Sequence, residues 1–500
     1  MLTKGETRMR RGFALILCLA LLLCCLPCSF AGATEVDSAP LTRAENARDG
    51  MVRVYLSSLG NISQLDVTIQ GSYTVDGAQP MTLTSGETVS VLFSKSTGEI
   101  TLRRGGVSYA MGKEMAFRRH AASGGSGVKI AQSRMPGNLY PGDLRLTGQL
   151  SGGSYRLYPV VHVYIEYYLY GVLPYEMGDS APAEALKAQA VAARTYTLNK
   201  MNTRAASLYD VVDTTNDQVY YGNSEGTIHC TGAVDATRGI VVMNGTSLTG
   251  TYYTASNGGQ TESARNLWNS TSLDYLSVKD DPFDRMNTAS VQRSVTVYAD
   301  NTDSRQNAAL KGLLTDKARS ALQAMGKSTS GLQVTRIGGI TPHTPKYASP
   351  SRLYTKLDFE VTVQSGGAAS ALTLTFDIFS ELESVLGMSI NSTQNELWSV
   401  EAGSGSWRVV SRRFGHGIGM SQRGAMQMGS MGYTYDQILG FYYEGCRRVQ
   451  YTFTHTILSA VESGGSDTIV NTEQPAEVTA STASATVSLS GVQDLSLIHI

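Results

Sequence analysis

Apolar and polar residues alternate in short runs between Met51 and about Leu102, as in Val52-Arg53-Val54-Tyr55-Leu56 and Val89-Ser90-Val91-Leu92-Phe93, with Gly and Asn turn positions between them. A period of two puts every second side chain on one face, so this stretch predicts antiparallel β-structure. The Gly/Ser-rich Ser123-Gly124-Gly125-Ser126-Gly127 predicts a loop, and the Val- and Tyr-rich segment from Tyr155 to Tyr170 predicts more strand. The period then changes. Ser180 to Lys200 carries Ala183, Ala185, Ala188, Ala190, Ala192 and Ala193, with Asp179 or Ser180 placed to cap, Pro182 in the first turn and Glu184 after it. These are helix signals, and a surface of alanine permits close packing, so this helix is expected to be central and buried. Lys187, Val191 and Arg194 fall on one of its faces. Strand-like alternation returns from Gly239 to Tyr253 and over residues 352–378, a helix is predicted around Ala308 to Met325, and Gly424 to Tyr443 reads as two helices broken at Gly432. After about Ser459 the chain turns to Ser, Thr, Gly, Ala and Val with few aromatics, which predicts a disordered tail.

The N-terminus has a different pattern. Lys4, Arg8, Arg10 and Arg11 precede an apolar run from Phe13 to Leu26, and Ala31-Gly32-Ala33 offers a small-residue cleavage site. This is the pattern of a secretory signal peptide. A retained membrane anchor is the alternative, but the run is interrupted at Pro27, short of the roughly 20 apolar residues that span a bilayer. Composition then bounds the rest: 500 residues, 42% hydrophobic and 17% charged, are enough to bury a sizeable core in two or three domains. The formal net charge is -1, and loss of the basic leader leaves the mature chain more acidic, a poor match for nucleic acid. Of the six cysteines, Cys18, Cys24, Cys25 and Cys28 lie in the leader, which leaves only Cys230 and Cys446 and no disulfide framework.

The segment Tyr168-Leu169-Tyr170-Gly171-Val172-Leu173-Pro174-Tyr175-Glu176-Met177, followed by Glu184-Ala185-Leu186-Lys187-Ala188-Gln189-Ala190-Val191-Ala192-Ala193-Arg194-Thr195-Tyr196, closely resembles the core motif of the SpoIID/LytB family. Three further stretches agree in order and spacing. They are Asp217-Gln218-Val219-Tyr220, then Tyr252-Tyr253 running to Ser256-Asn257-Gly258-Gly259-Gln260-Thr261, then Gly415-His416-Gly417 through Met420-Ser421-Gln422-Arg423-Gly424. The resemblance spans roughly residues 50 to 455. It implies an organisation of signal peptide (1–33), N-terminal β-rich region (34–135), a core in two parts (136–286 and 401–458) around an inserted α/β region (287–400), and a low-complexity tail (459–500). The expected fold is α+β, mostly antiparallel β-structure packed around the central Ala-rich helix.

The resemblance also implies lytic transglycosylase activity on peptidoglycan glycan strands, with Glu176 as the catalytic acid and no cofactor. Where the family usually has proline after Glu-Met this chain has Gly178, which is expected to loosen the backbone beside the acid. Read from its own surroundings, Glu176 sits among Leu173, Pro174, Tyr175 and Met177, and an apolar setting keeps a carboxyl protonated nearer neutral pH. A helix-capping glutamate is the alternative. Arg194 is expected to bind a sugar substituent or to hold Glu176, Lys187 shares its face, and Glu166 is expected to be structural. Tyr253, Gln218, Ser256, Gly258, Gly259, Gln260, Thr261, His416, Ser421 and Gln422 are candidate substrate-binding positions, because glycines allow close backbone approach and neutral polar groups suit sugar hydroxyls and acetamides. His229-Cys230 has too few neighbours of ligand type to predict a metal. The expected partners are glycan strands and a cell-wall amidase, with no nucleic acid, and membrane contact only through an uncleaved leader. A glycan-binding enhancer of an amidase is the competing function.

Overall fold

The computed structural model describes residues 50–120 and 125–451 in full, and after them only short backbone strands. The leader, residues 34–49 and most of the tail therefore lie outside the described residues, as does part of the loop predicted at Ser123 to Gly127. Within the tail, Val461–Ser463 pairs with Ser466–Thr468 and Pro475–Ser481 with Ser484–Val487, so short antiparallel ladders stand where composition predicts disorder.

Two antiparallel sheets share the first core. One runs in the order Val211–Val212, Met51–Tyr55, Ser154–Tyr164, Asp143–Ser151, Glu114–Arg119, Tyr73–Asp76, Met81–Leu83, and its one parallel pairing is at Val211–Val212. The other is centred on Gln64–Gln70 and Thr88–Phe93. Alternation works as expected here: Leu65, Val67 and Ile69 on one strand and Val89, Val91 and Phe93 on its neighbour are buried, while the residues between them are not.

The predicted strand from Tyr155 to Tyr170 is a strand only as far as Tyr164; Ile165–Glu176 is a helix. Aromatic and β-branched residues disfavour helix by only tenths of a kcal/mol each, and burial overrides that. Ile165, Tyr168, Leu169, Val172 and Leu173 are all buried, at the spacing of one helix face. The Ala-rich helix is observed at Ala183–Thr203. Its N-cap is Pro182 with no side-chain cap, which corrects the expectation for Asp179 and Ser180. Asp179 instead accepts the Cys230 N–H at 2.8 Å and pairs with His229. Alanine does allow the close surround: helices Ile165–Glu176, Ile228–Ala236, Gln422–Ser430 and Tyr435–Tyr442 and strand Ile240–Asn244 all pack on the Ala-rich helix.

The inserted region has its own core. Helix Ala308–Ala324 lays Leu310, Leu314, Ala318 and Leu322 against the meander Gln333–Pro345, Tyr354–Ser365, Ala368–Asp377. A second meander, Gln292–Tyr298, Ser406–Arg412, Leu397–Gly403, joins this core through Val297, Trp398 and Val409.

Candidate active site

Glu176 is the last residue of its helix, so its carboxyl lies at the negative end of the helix dipole. One oxygen accepts the Val219 N–H at 3.3 Å and the other accepts Gln422 Nε2 at 3.0 Å. Burial pushes its pKa up, against the opposing pull of those two hydrogen bonds. Among the described residues no Lys or Arg pairs with it, and the residue as a whole is part-buried. The helix ends on Gly178, whose φ of +77° is a left-handed value closed to proline; its N–H donates to the Pro174 carbonyl at 3.1 Å. Glycine at this position takes the left-handed turn that follows the helix end beside the acid.

Three of the recognised sequence stretches converge on this carboxyl. The loop Asp217 to Tyr220 supplies the Val219 amide, and beneath it Gln218, fully buried, accepts from Tyr168 Oη at 3.1 Å and Thr197 Oγ1 at 2.8 Å. Gln218 Nε2 donates to Tyr253 Oη at 3.0 Å. Tyr253–Thr254 pairs in parallel with Met420–Ser421, and Ser421 caps the following helix by accepting the Gly424 N–H. Gln422 is thereby delivered as the first helical residue, aimed at Glu176.

Several expected substrate contacts prove to be structural. Arg194 is fully buried in a bidentate pair with Glu166, at 2.9 and 2.7 Å, and also donates to the Ile240 carbonyl. It neither faces a groove nor holds Glu176, and its charge is spent on Glu166, as a guanidinium in the interior requires. Lys187 pairs with Glu184 at 2.7 Å. Gln218 is sealed under the floor. Ser256 and Ser421 both donate to Asp284, at 2.9 and 2.5 Å, and Asn257 donates to Asp281 and Asp284. Tyr442 Oη joins Asp281 at 2.7 Å, so one buried polar network ties the Ser256 to Gln260 turn to both C-terminal helices. Gln260 holds the 350–352 loop through the Pro350 carbonyl and the Arg352 N–H, and Thr261 bonds the Ser277 carbonyl. Apart from the part-exposed Lys187, these side chains are buried or nearly so and spend their hydrogen bonds within the protein.

Beside the Tyr252-Tyr253 stretch lie the part-buried His416 and the exposed Trp268. His416 Nδ1 accepts the Ile418 N–H at 2.9 Å, and burial lowers its pKa to about 4, so the ring is neutral at neutral pH and is no acid or base there. Trp268, 39% exposed, lies against Tyr252 and His416, with centroids at 4.6 and 5.3 Å. Sequence reasoning passed over Trp268, Asp281, Asp284 and the buried Arg413. The Asp281-Pro282 step, an N-cap followed by proline at the first helical position, was a signal for the first acid of the network. His229 and Cys230 are both engaged by Asp179.

A family model described as stage II sporulation protein matches residues 154–244, which contain the acid-bearing helix and the Ala-rich helix. The chain is 33% identical over 301 residues to an amidase enhancer of Bacillus subtilis, covering 57% of this chain and 40% of that protein. It is 31% identical over 288 residues to an uncharacterized protein of Brachyspira hyodysenteriae, 57% of this chain and 67% of the relative. To the stage II sporulation protein D of Bacillus subtilis it is 29% identical over 304 residues, 57% of this chain and 74% of the relative.

Proposed function

We propose, from the premise that the chain belongs to the SpoIID family, that it is a lytic transglycosylase of the cell envelope acting on peptidoglycan glycan strands. The observation that carries the proposal is the carboxyl of Glu176: raised in pKa by burial, held by two neutral donors and free of any ion pair among the described residues, on a residue that is part-buried as a whole. A general acid for a glycosidic oxygen needs that combination. Protonated Glu176 gives its proton to the oxygen linking N-acetylmuramic acid to N-acetylglucosamine, and the bond from that oxygen to the muramyl C1 breaks. The muramyl C6 hydroxyl then adds to C1 and returns its proton to Glu176. The product is a 1,6-anhydro end, no water is consumed, and one carboxylate suffices where hydrolases use two. Asp179 and Glu184, the nearest acids in sequence, are each engaged by other groups.

The export pattern at the N-terminus supports a location outside the cytoplasm for this chemistry, and strands freed of stem peptides by an amidase are the proposed substrate. The amidase enhancer among the relatives favours a second reading, in which the same site holds glycan without cutting it. Mass spectrometry of peptide-free glycan incubated with wild type and Glu176→Gln separates the two. Anhydro-muramyl ends made by wild type alone support the lyase. Strand binding by both proteins, with products from neither, establishes the enhancer.

A further inference from the structure

A pocket of about 380 Å³ opens where the inserted region meets the core, away from the residues that hold Glu176. Its walls are apolar and aromatic, with Pro342, Tyr354, Leu397, Trp398 and Trp407, and three arginines, Arg285, Arg352 and Arg412, reach it with no carboxylate in the lining. Gly258 and Gly259 make the convergence possible. A Cβ on Gly259 would lie 2.3 Å from Arg285 Cγ, and one on Gly258 would lie 3.0 Å from the Arg412 Cβ; both glycines hold positive φ. The two glycines expected to admit a ligand to the backbone thus admit the stems of two arginines.

The arginines differ in what already occupies them. Arg412 is tied to Glu401 at 2.7 Å and to Ser399, and Arg352 to Asp280 and the Gly259 carbonyl. Arg285 is exposed and makes no hydrogen bond or ion pair among the described residues beyond the longer-range pull of Asp280. An unengaged guanidinium beside aromatic walls in one concave space asks for a ligand that brings an anion on a compact body with an apolar face.

We propose that this pocket binds a carboxylate-bearing pyranose, the N-acetylmuramic acid unit whose lactyl carboxylate is exposed once its stem peptide is gone. The guanidinium of Arg285 takes the carboxylate and the aromatic walls take the ring. The proposal rests on the glycan reading above and deepens it: it supplies the preference for peptide-free strands, because a lactyl group in amide linkage to peptide carries no charge.

The test uses the full chain. Two of its three tryptophans line the pocket, so in a Trp268→Phe background fluorescence reports on it directly. N-acetylmuramic acid is expected to change the signal saturably, while N-acetylglucosamine and the lactyl methyl ester do not. Arg285→Gln is expected to weaken binding about tenfold, with partial recovery in Arg285→Lys. Equal responses to the two sugars, no response to N-acetylmuramic acid, a response to inorganic phosphate in its place, or an Arg285→Gln titration that superimposes on the parent overturns the proposal. Product release from glycan, measured in parallel, separates this failure from that of the lyase reading. Cleavage without N-acetylmuramic acid binding removes the pocket alone, and binding that persists with no cleavage by wild type removes the lyase alone.

Discussion

Gln422 tunes the acid, and replacing it gives the sharpest test of the site. In Gln422→Leu the Nε2 donor 3.0 Å from Glu176 is lost while the apolar bulk is roughly kept. That bond favours the ionised carboxylate, so its removal drives the pKa of Glu176 further in the direction burial already pushes it. A hydrogen bond to a charged group contributes about 1.5–3 kcal/mol, and one pKa unit corresponds to about 1.4 kcal/mol. The Val219 N–H remains to take part of the load, so a rise of about one unit is expected. The descending alkaline limb of kcat/KM against pH, which marks ionisation of the acid, should move up by that amount. Carboxyl NMR of protein labelled with ¹³C at the glutamate side chains reads the same shift without turnover. A limb and a titration that stay where they are, or move down, would show that the amide does not face the carboxylate in solution and would refute the geometry from which the mechanism is built.

Other expectations follow from the same coordinates. Arg194→Met leaves Glu166 buried and unpaired, which should cost about 3–5 kcal/mol in urea denaturation, and Glu166→Leu in the same chain should recover much of it. Glu383 is 7% exposed, and burial, then the neighbouring Glu396, raises its pKa from 4.5 to about 7. Because the folded pKa lies above the unfolded one, the folded state is disfavoured progressively as pH rises through that window. Glu383→Gln should therefore flatten the stability profile between those pH values and add about 2 kcal/mol at pH 8. Trp268→Ala should cost clearly less than the roughly 3–5 kcal/mol of a fully buried tryptophan, since the ring is 39% exposed, and should weaken strand binding about fivefold, the loss of about 1 kcal/mol of aromatic contact; unchanged affinity in a co-sedimentation assay would remove the platform from the site.

What the residue pattern revealed and what it hid have a common physical cause. Periodicity depends on which face is buried, so it located the helix at Ala308–Ala324, the pair Gln422–Ser430 and Tyr435–Tyr442, and two of the three strands of the inserted meander, missing Gln333–Pro345. Between Tyr155 and Glu176 residue type pointed to strand and spacing to helix, and spacing decided, because the apolar stripe from Ile165 to Leu173 packs on the Ala-rich helix. Residue type misled again at the candidate site. Serines, amides and an arginine suit sugar recognition and buried networks equally well, and nothing along the chain reveals that Asp284 waits 28 residues from Ser256 and 137 from Ser421. Two carboxylates at the centre of such a network require donors from every side, and the motif around Ser256 and Ser421 provides them.

The acid itself illustrates the limit of a local argument. Its sequence neighbours were expected to supply an apolar jacket, but Leu173 is turned into the core and Met177 is nearly buried. The two groups that touch the carboxyl come from 43 and 246 residues away. The state of Glu176 is therefore a property of how three segments are clamped together. The buried network at Asp281 and Asp284 fixes the cap at Ser421 and, through it, the direction of Gln422. The Gln218 bonds set the height of the Val219 amide by tying its neighbour to Tyr168, Thr197 and Tyr253. Motif residues without any sugar contact can thus matter to the proposed reaction as much as the proposed proton donor, because their hydrogen bonds position the two donors that act on its pKa.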